Sequence, residues 1–298
     1  MPTPNVLLLT RKPSGHSVTR LMESAALRSD LELHVLDPHT IRLQTGPSGT
    51  RVSHDELSLD PASCVLVPRI GSLSTEYSLY CLEQLEALGI PSICPFPGLL
   101  RLRHKYSALA ALSMAGIPVP DSVMLRNQAE LQPAVDSVGG YPLIIKFIRG
   151  SQGVGVIRAD REDTVRSVLD ALNMVQYDVL LQRYIPEAAT RGTIRVLVVG
   201  GRARLAVHLT PAAGSDRSNV HAGGQAAKLE LTIDMVQVAE QSAALFGTSL
   251  AGVDLVETDK GYVLMEVNSS PGYEMPEALY GLDVAGMILD SAVALLPG

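Results

Sequence analysis

Short apolar runs alternate with helix-spaced segments through the first ninety or so residues. Residues 6–9, 31–37 and 64–70 are rich in Leu, Val and Ile over strand length, the pattern of strands covered on both faces. Apolar positions from about Ser17 to Ala26, and from Thr75 to Leu88, recur at helical spacing. This alternation predicts a small α/β unit with a mainly parallel sheet. Arg69, near the end of the third run, then stands where such a sheet opens onto a crevice. It reads as a contact for an acceptor carboxylate or as a structural salt bridge.

From Pro95 the texture changes. Residues 103–115 read as a helix stopped by Gly116, with Pro118 beyond it. Residues 141–148 form a strand pattern, followed by a Gly-rich turn and a second strand over residues 156–159. Asp160 is placed to cap a helix whose Val165, Val168, Leu169 and Leu172 form an apolar stripe. Residues 178–185 read as another strand. A third region starts at Ile185 with a hairpin over residues 194–209 and a polar loop from Ala212 to about Gln225. That loop is long enough to be a functional flap. A helix from about Asp234 to Phe246, a second hairpin and a helix from about Asp283 complete the pattern. The chain thus divides into residues 1–94, 95–184 and 185–298, with no internal repeat.

The second hairpin carries the strongest chemical signal. Asp254 lies in one apolar run, Glu266 and Asn268 in the next, and side chains two apart on a strand share a face. If Asp259, Lys260 and Gly261 form a three-residue loop, Thr258 faces Tyr262 and Asp254 faces Glu266. Both carboxylates are otherwise ordinary polar positions on a half-exposed sheet. They sit among Val, Leu and Met, however, where an unpaired carboxylate is costly to bury. Three oxygen donors without His or Cys suit a hard cation such as Mg²⁺ or Mn²⁺ that shares its other ligands with phosphate and water.

The turn Gly150-Ser151-Gln152-Gly153-Val154-Gly155 lets backbone N–H groups approach a polyphosphate. It is not a Walker A loop, and a strand rather than a helix follows it. Read alone, it equally describes a bare hairpin. Lys146, four residues earlier on an apolar strand, changes the balance, because an ammonium there must snorkel out or meet an anion. Lys105 can supply a second cation, though a lone lysine is more often solvated.

Composition narrows the classes. The 298 residues are 46% hydrophobic and 18% charged, as in a globular protein. A net charge of −7 with no Trp argues against a nucleic-acid binder. No apolar stretch reaches membrane-spanning length, and the first residues lack a signal-peptide pattern. Cys64, Cys81 and Cys94 are widely spaced and odd in number, which predicts buried thiols in a reducing cytoplasm.

In order and spacing, residues 67–71, 103–105, 139–156, 181–185, 194–200, 217–224, 252–255, 265–272 and 281–286 resemble the ATP-grasp superfamily. The likeness is strongest to its RimK-like amino-acid ligases, which include the ribosomal-protein glutamate ligases. It implies an ATP-grasp fold, α+β, behind an N-terminal α/β domain with a parallel sheet. By that resemblance Lys105, Lys146 and the Gly-rich turn contact the phosphates of ATP, while Gln182, Arg183, Tyr184 and Ile185 line the adenine pocket. Arg217, Ser218 and Asn219 lie beside the triphosphate and the activated carboxylate. Asp254, Glu266 and Asn268 hold two divalent ions. Arg195 and Arg217 are candidates for stabilising the phosphoryl and tetrahedral oxyanions; Arg195 also fits a solvent-exposed strand position. His221 receives no catalytic role.

Two departures stand out. Thr193 replaces the acidic residue that the family usually carries two before this Arg as a ribose contact. Leu209 and Thr210 stand where cations would hold an acidic amino acid in glutamate-adding relatives. The implied activity is ATP-dependent joining of an amino acid to a peptide, protein or small-molecule carboxylate through an acyl phosphate. The alternatives are a catalytically reduced ATP-binding regulatory protein, and small-molecule synthesis of the glutathione-synthetase or D-alanine-ligase kind. Relatives are often homo-oligomers; nothing in this sequence marks an interface.

Overall fold

In the computed structural model, residues 3–47, 49–55, 57–71, 74–148, 155–173, 177–211 and 224–297 are described. The first sheet follows directly from the apolar runs. Strands β1 (Asn5–Leu9) and β2 (Glu32–Leu36) pair in parallel, and β1 pairs in parallel with the fifth strand, Cys64–Pro68. Helix α1 (His16–Ala26) crosses between β1 and β2. Between β2 and that fifth strand lies a hairpin of β3 (Arg42–Gly46) and β4 (Gly49–Ser53). It is largely exposed and polar, so no apolar pattern announced it. The fifth strand is β5, and α2 (Glu76–Ala87) follows. β1 sends Val6 and Leu8 into one core, Leu7 and Leu9 into the other. Burial on both faces is why its sequence does not alternate.

The helix expected over residues 103–115 is α4 (Lys105–Met114), and a separate short helix, α3 (Phe96–Leu102), precedes it. His104 causes the restart, since its Nδ1 accepts from Ser107 N at 3.2 Å and caps α4. Lys105 thereby occupies the first turn of a helix.

The second sheet is antiparallel, ordered β6 (Ser122–Leu125), β9 (Val179–Arg183), β7 (Leu143–Phe147), β8 (Val156–Ala159). Helices α5 (Leu131–Ser137) and α6 (Glu162–Asn173) flank it, and Leu143, Ile145, Leu181, Val165 and Leu169 share one core. Helix α6 begins two residues after Asp160, which instead accepts from Arg158 Nε at 2.9 Å. The expected cap is therefore not made.

After the short α7 (Pro186–Thr190) comes a five-stranded antiparallel sheet. Its order is β12 (Gln225–Leu229), β11 (Arg202–Thr210), β10 (Thr193–Val199), β13 (Leu250–Thr258), β14 (Gly261–Asn268). Helix α8 (Ile233–Leu245) covers the face bearing Val196, Val198 and Val253. The opposite face carries Leu197, Leu205 and Val207 into the core that holds Val6 and Leu8. Helices α9 (Glu274–Tyr280) and α10 (Val284–Val293) complete that core. Helix α10 packs on α1, β1 and β5, so one end of the chain finishes the sheet begun at the other. The three cysteines are buried and free. Among the described residues no helix is long and apolar enough to cross a membrane.

Candidate active site

The turn between β13 and β14 is one residue tighter than the expected loop. Thr258 pairs with Gly261, leaving Asp259 and Lys260 as the turn, and Tyr262 lies opposite Glu257 rather than Thr258. The register is recovered further along. Leu264 lies opposite Leu255, but Glu266 lies opposite Asp254, so Met265 is an extra residue on β14. This bulge re-aims the strand and restores the expected juxtaposition of the two carboxylates. Asn268 lies opposite Gly252, one pleat further on. A Cβ at Gly252 would approach that of Pro271 to 2.9 Å, so glycine lets the chain after Asn268 close over β13.

Protein cations meet both carboxylates. Arg195, opposite Asp254 on β10, donates Nε and Nη2 to its two oxygens at 2.7 Å each. Lys105 Nζ donates to Glu266 Oε1 at 2.9 Å. Lys146 lines the same small cavity as Lys105 and Glu266. Asp254 holds Arg195 above its ordinary pKa against the opposing effect of burial. Burial alone would raise Glu266, but Lys105, then Lys146 and Arg195, outweigh it and hold the carboxyl below its usual range. Burial pushes the Lys146 ammonium down to about 8, with Lys105 adding to the fall and Glu266 and Asp254 opposing it.

The donor set fits a hard divalent cation. Asp254, Glu266 and Asn268 offer oxygen ligands from adjacent strands, provided that Arg195 and Lys105 release part of their hold. Among the described residues no cluster of three or more His, Cys, Asp or Glu occurs. The candidate site has two carboxylates and an amide, which leaves coordination positions for nucleotide and water.

Lys146 and Gln182 share a face of the second sheet, because Lys146 lies opposite Leu180 and Gln182 opposite Ile144. Gln182 is fully buried. Its Nε2 donates to Ser122 Oγ at 2.9 Å, and Ser122 Oγ donates its own proton to Pro120 O at 2.9 Å. The hydroxyl can then only accept from the amide, which sets the amide's orientation. Oε1 is left buried without a hydrogen-bond partner among the described residues.

The other expected positions separate. The Arg183 side chain projects from the opposite face and pairs with Asp121 at 2.9 Å. Tyr184 lies under Arg158, whose Cζ is 4.7 Å from the ring centre. Ile185 precedes α7 and accepts from Ala188 N. Thr193 opens β10 opposite Leu209, which is buried in the shared core. Gly155 has φ 76°, and a Cβ there would stand 2.6 Å from the Phe147 ring. Arg69 ends at the turn after Asn268 and donates Nη2 to Pro271 O at 2.8 Å. Gly150, Ser151, Gln152, Gly153, Arg217, Ser218, Asn219 and His221 lie outside the described residues.

Sequence reasoning missed Arg158 and Ser122. Arg158 lies opposite Ile144 and so shares the Lys146 face. The alternation Val156, Ile157, Arg158, Ala159 carried that signal. Ser122, 60 residues from Gln182, carried none.

Known structures share this fold. The chain is similar to the RimK-domain ATP-grasp protein of Sphaerobacter thermophilus, with a TM-score of 0.75 at 22% identity, over 97% of this chain and 99% of that one. It is also similar to the ATP-grasp ligase PsnB solved with a minimal precursor, Mg and ADP, with a TM-score of 0.71 at 18% identity, over 99% and 98% of the two chains. The fold is that of the ATP-grasp proteins. More narrowly, residues 5–95 match the RimK PreATP-grasp domain and residues 102–292 the RimK-like ATP-grasp domain. A probable alpha-L-glutamate ligase of Shewanella baltica is 35% identical over 287 residues, 96% of this chain and 94% of the relative. The chain therefore belongs to the RimK-like ATP-grasp family, and is an ATP-dependent ligase that forms carbon–nitrogen bonds.

Proposed function

We propose that the protein joins an amino acid to the carboxylate of a peptide or protein tail, using Lys146 and Lys105 for the triphosphate and Asp254, Glu266 and Asn268 for two divalent ions. The observation that carries this reading is the convergence of Lys105, Lys146 and Glu266 on one cavity, with the Arg195–Asp254 pair beside it. Gln182 Oε1, buried without a partner among the described residues, suits the exocyclic amine of adenine. The Arg158–Tyr184 stack lies close by on the same face and suits a wall of the base pocket.

The chemistry follows from these charges. A carboxylate is a poor electrophile, so its oxygen first attacks the γ-phosphorus of ATP, giving an acyl phosphate and ADP. The amine then attacks the acyl carbon, the C–O bond to phosphate breaks, and the amine loses a proton as the amide forms. Lys146 balances charge on the transferring phosphoryl group. Arg195 is poised to turn one of its two donors from Asp254 toward the oxyanion. Bound divalent ions would neutralise phosphate oxygens and polarise the bond that breaks. No protein nucleophile is required.

Relatives named alpha-L-glutamate ligase put glutamate first among the amines to be tried. Leu209, buried opposite Thr193, and Thr210 supply no cation for its side chain, which favours a neutral amino acid as the second candidate. ADP release across a matrix of acids and amines, with mass spectrometry of the product, tests both. Uncleaved ATP with every pair, from folded protein that binds nucleotide, would count against ligation and for a binding protein.

A further inference from the structure

Arg69 extends the first sheet toward the carboxylate hairpin. Its backbone N–H bonds Leu9 O at 2.9 Å, which anchors the residue at the carboxyl end of β1 and β5. The side chain reaches the turn that follows Asn268, where its Nη2 bonds Pro271 O at 2.8 Å and its Cζ stands 5.8 Å from the centre of the Tyr273 ring. Tyr273 is itself held by its hydroxyl, which donates to Ser17 O at 2.6 Å. Pro271 lies against Gly252, and Gly252 pairs with Asn268. The guanidinium thus meets the rim of the candidate metal site from the N-terminal side.

Among the described residues the guanidinium meets no anion. The structural salt bridge left open by the sequence is not made among them, and the partner of Arg69 is a neutral carbonyl. Nη1 is buried and has no hydrogen-bond partner among the described residues. Buried charges are normally paired, and a guanidinium has five N–H donors in a planar fork that matches a carboxylate. The nucleotide phosphates have proposed cations of their own in Lys146 and Lys105, which line a cavity that Arg69 does not. An acid substrate therefore suits the N-terminal side.

We infer that Arg69 binds a carboxylate of the acid substrate, holding it between the end of the parallel sheet and the turn that follows Asn268. This assignment rests on the ligase reading above. Nη1 is out of solvent contact, so an acid reaches it as residues 269–272 shift. Gly272 in that turn would present a Cβ to open space.

The test uses the full chain with Mg²⁺ and a non-hydrolysable ATP analogue. Calorimetry measures nucleotide affinity first, then the affinity of L-glutamate, L-glutamyl-L-glutamate and succinate, each beside its amide. The expected result is that at least one acid binds in preference to its amide, and that Arg69→Gln weakens it roughly 10- to 150-fold. Nucleotide affinity and melting temperature should stay near wild type. Arg69→Lys keeps a donor for Pro271 O but loses the fork, so it should fold and leave most of the loss unrepaired. If Arg69→Gln does not fold, Arg69→Lys carries the comparison alone. The inference is overturned if Arg69→Lys restores acid binding, if Arg69→Gln binds the acids as wild type does, or if no acid on the panel binds while the nucleotide does. Failure of nucleotide binding in the wild type would instead sink the ligase reading itself.

Discussion

Gln182 offers the sharpest test of where the base sits. Its Oε1 is a buried acceptor with no partner among the described residues, and the bond to Ser122 holds the amide nitrogen so that the amide does not turn. Leaving such an acceptor unpaired costs about 1–3 kcal/mol. An adenine amine would recover that energy, whereas hypoxanthine presents a carbonyl and leaves two acceptors face to face. Wild type should therefore prefer ATP to ITP by roughly 5- to 150-fold. Gln182→Leu removes the orphan acceptor together with the bond to Ser122, so unliganded stability should change by about 1 kcal/mol or less. The same variant should bring the ATP-to-ITP ratio to within about twofold. Ser122→Ala should narrow the ratio from the other side, because the amide is then free to present Nε2. Competition binding with Mg²⁺ and either nucleotide, beside thermal melts, reads all three variants. A ratio near one in wild type, or a ratio unchanged in Gln182→Leu, would refute the reasoning.

Three further outcomes follow from the charged cluster. Glu266→Ala should lower turnover at least about 100-fold by removing a proposed metal ligand. Loss of its pair with Lys105, whose side chains are 13% and 38% exposed, should cost about 1 kcal/mol after solvent screening; retained ADP release would show the hairpin assignment to be wrong. Lys105→Met should tighten binding of free Mn²⁺, read by electron paramagnetic resonance without nucleotide, because Glu266 loses the cation that is hydrogen-bonded to it, and should weaken ATP roughly tenfold. An unchanged Mn²⁺ affinity would contradict it. Lys146, brought by burial from 10.5 to about 8, is charged below that pH and neutral above it. ATP affinity should fall as pH rises through about 8, and ATP binding there should take up a proton, measurable by calorimetry in buffers of different ionisation enthalpy. For folding the sign is opposite: charged Lys146 opposes the fold by about 3 kcal/mol below its folded pKa, and this penalty fades as pH climbs toward 10.5. Lys146→Met should abolish both effects.

Local pattern was enough to define the parallel strands, the paired carboxylates and the face carrying Lys146. Unbroken apolar runs of strand length suit strands covered on both sides, as β1 and β5 are, and period-two alternation puts Lys146 and Gln182 on a common surface once their strands pair. Even so, the Asp254–Glu266 register was reached by two compensating differences, a turn one residue shorter and a bulge at Met265. Neither leaves a mark on hydrophobic periodicity. The polar hairpin of β3 and β4 escaped for the same reason, since exposed strands need not alternate.

Tertiary structure decided everything that depends on what lies across a gap. Lys105 meets Glu266 over 161 residues, Gln182 is oriented by Ser122 over 60, and Arg69 finds Pro271 over 202. The first sheet is closed by the last helix. A sequence determines which side chains must leave water, because that depends on each residue's own surface and spacing. Which partner each polar group then finds depends on how the separate sheets pack, and that is settled only when their cores close on one another.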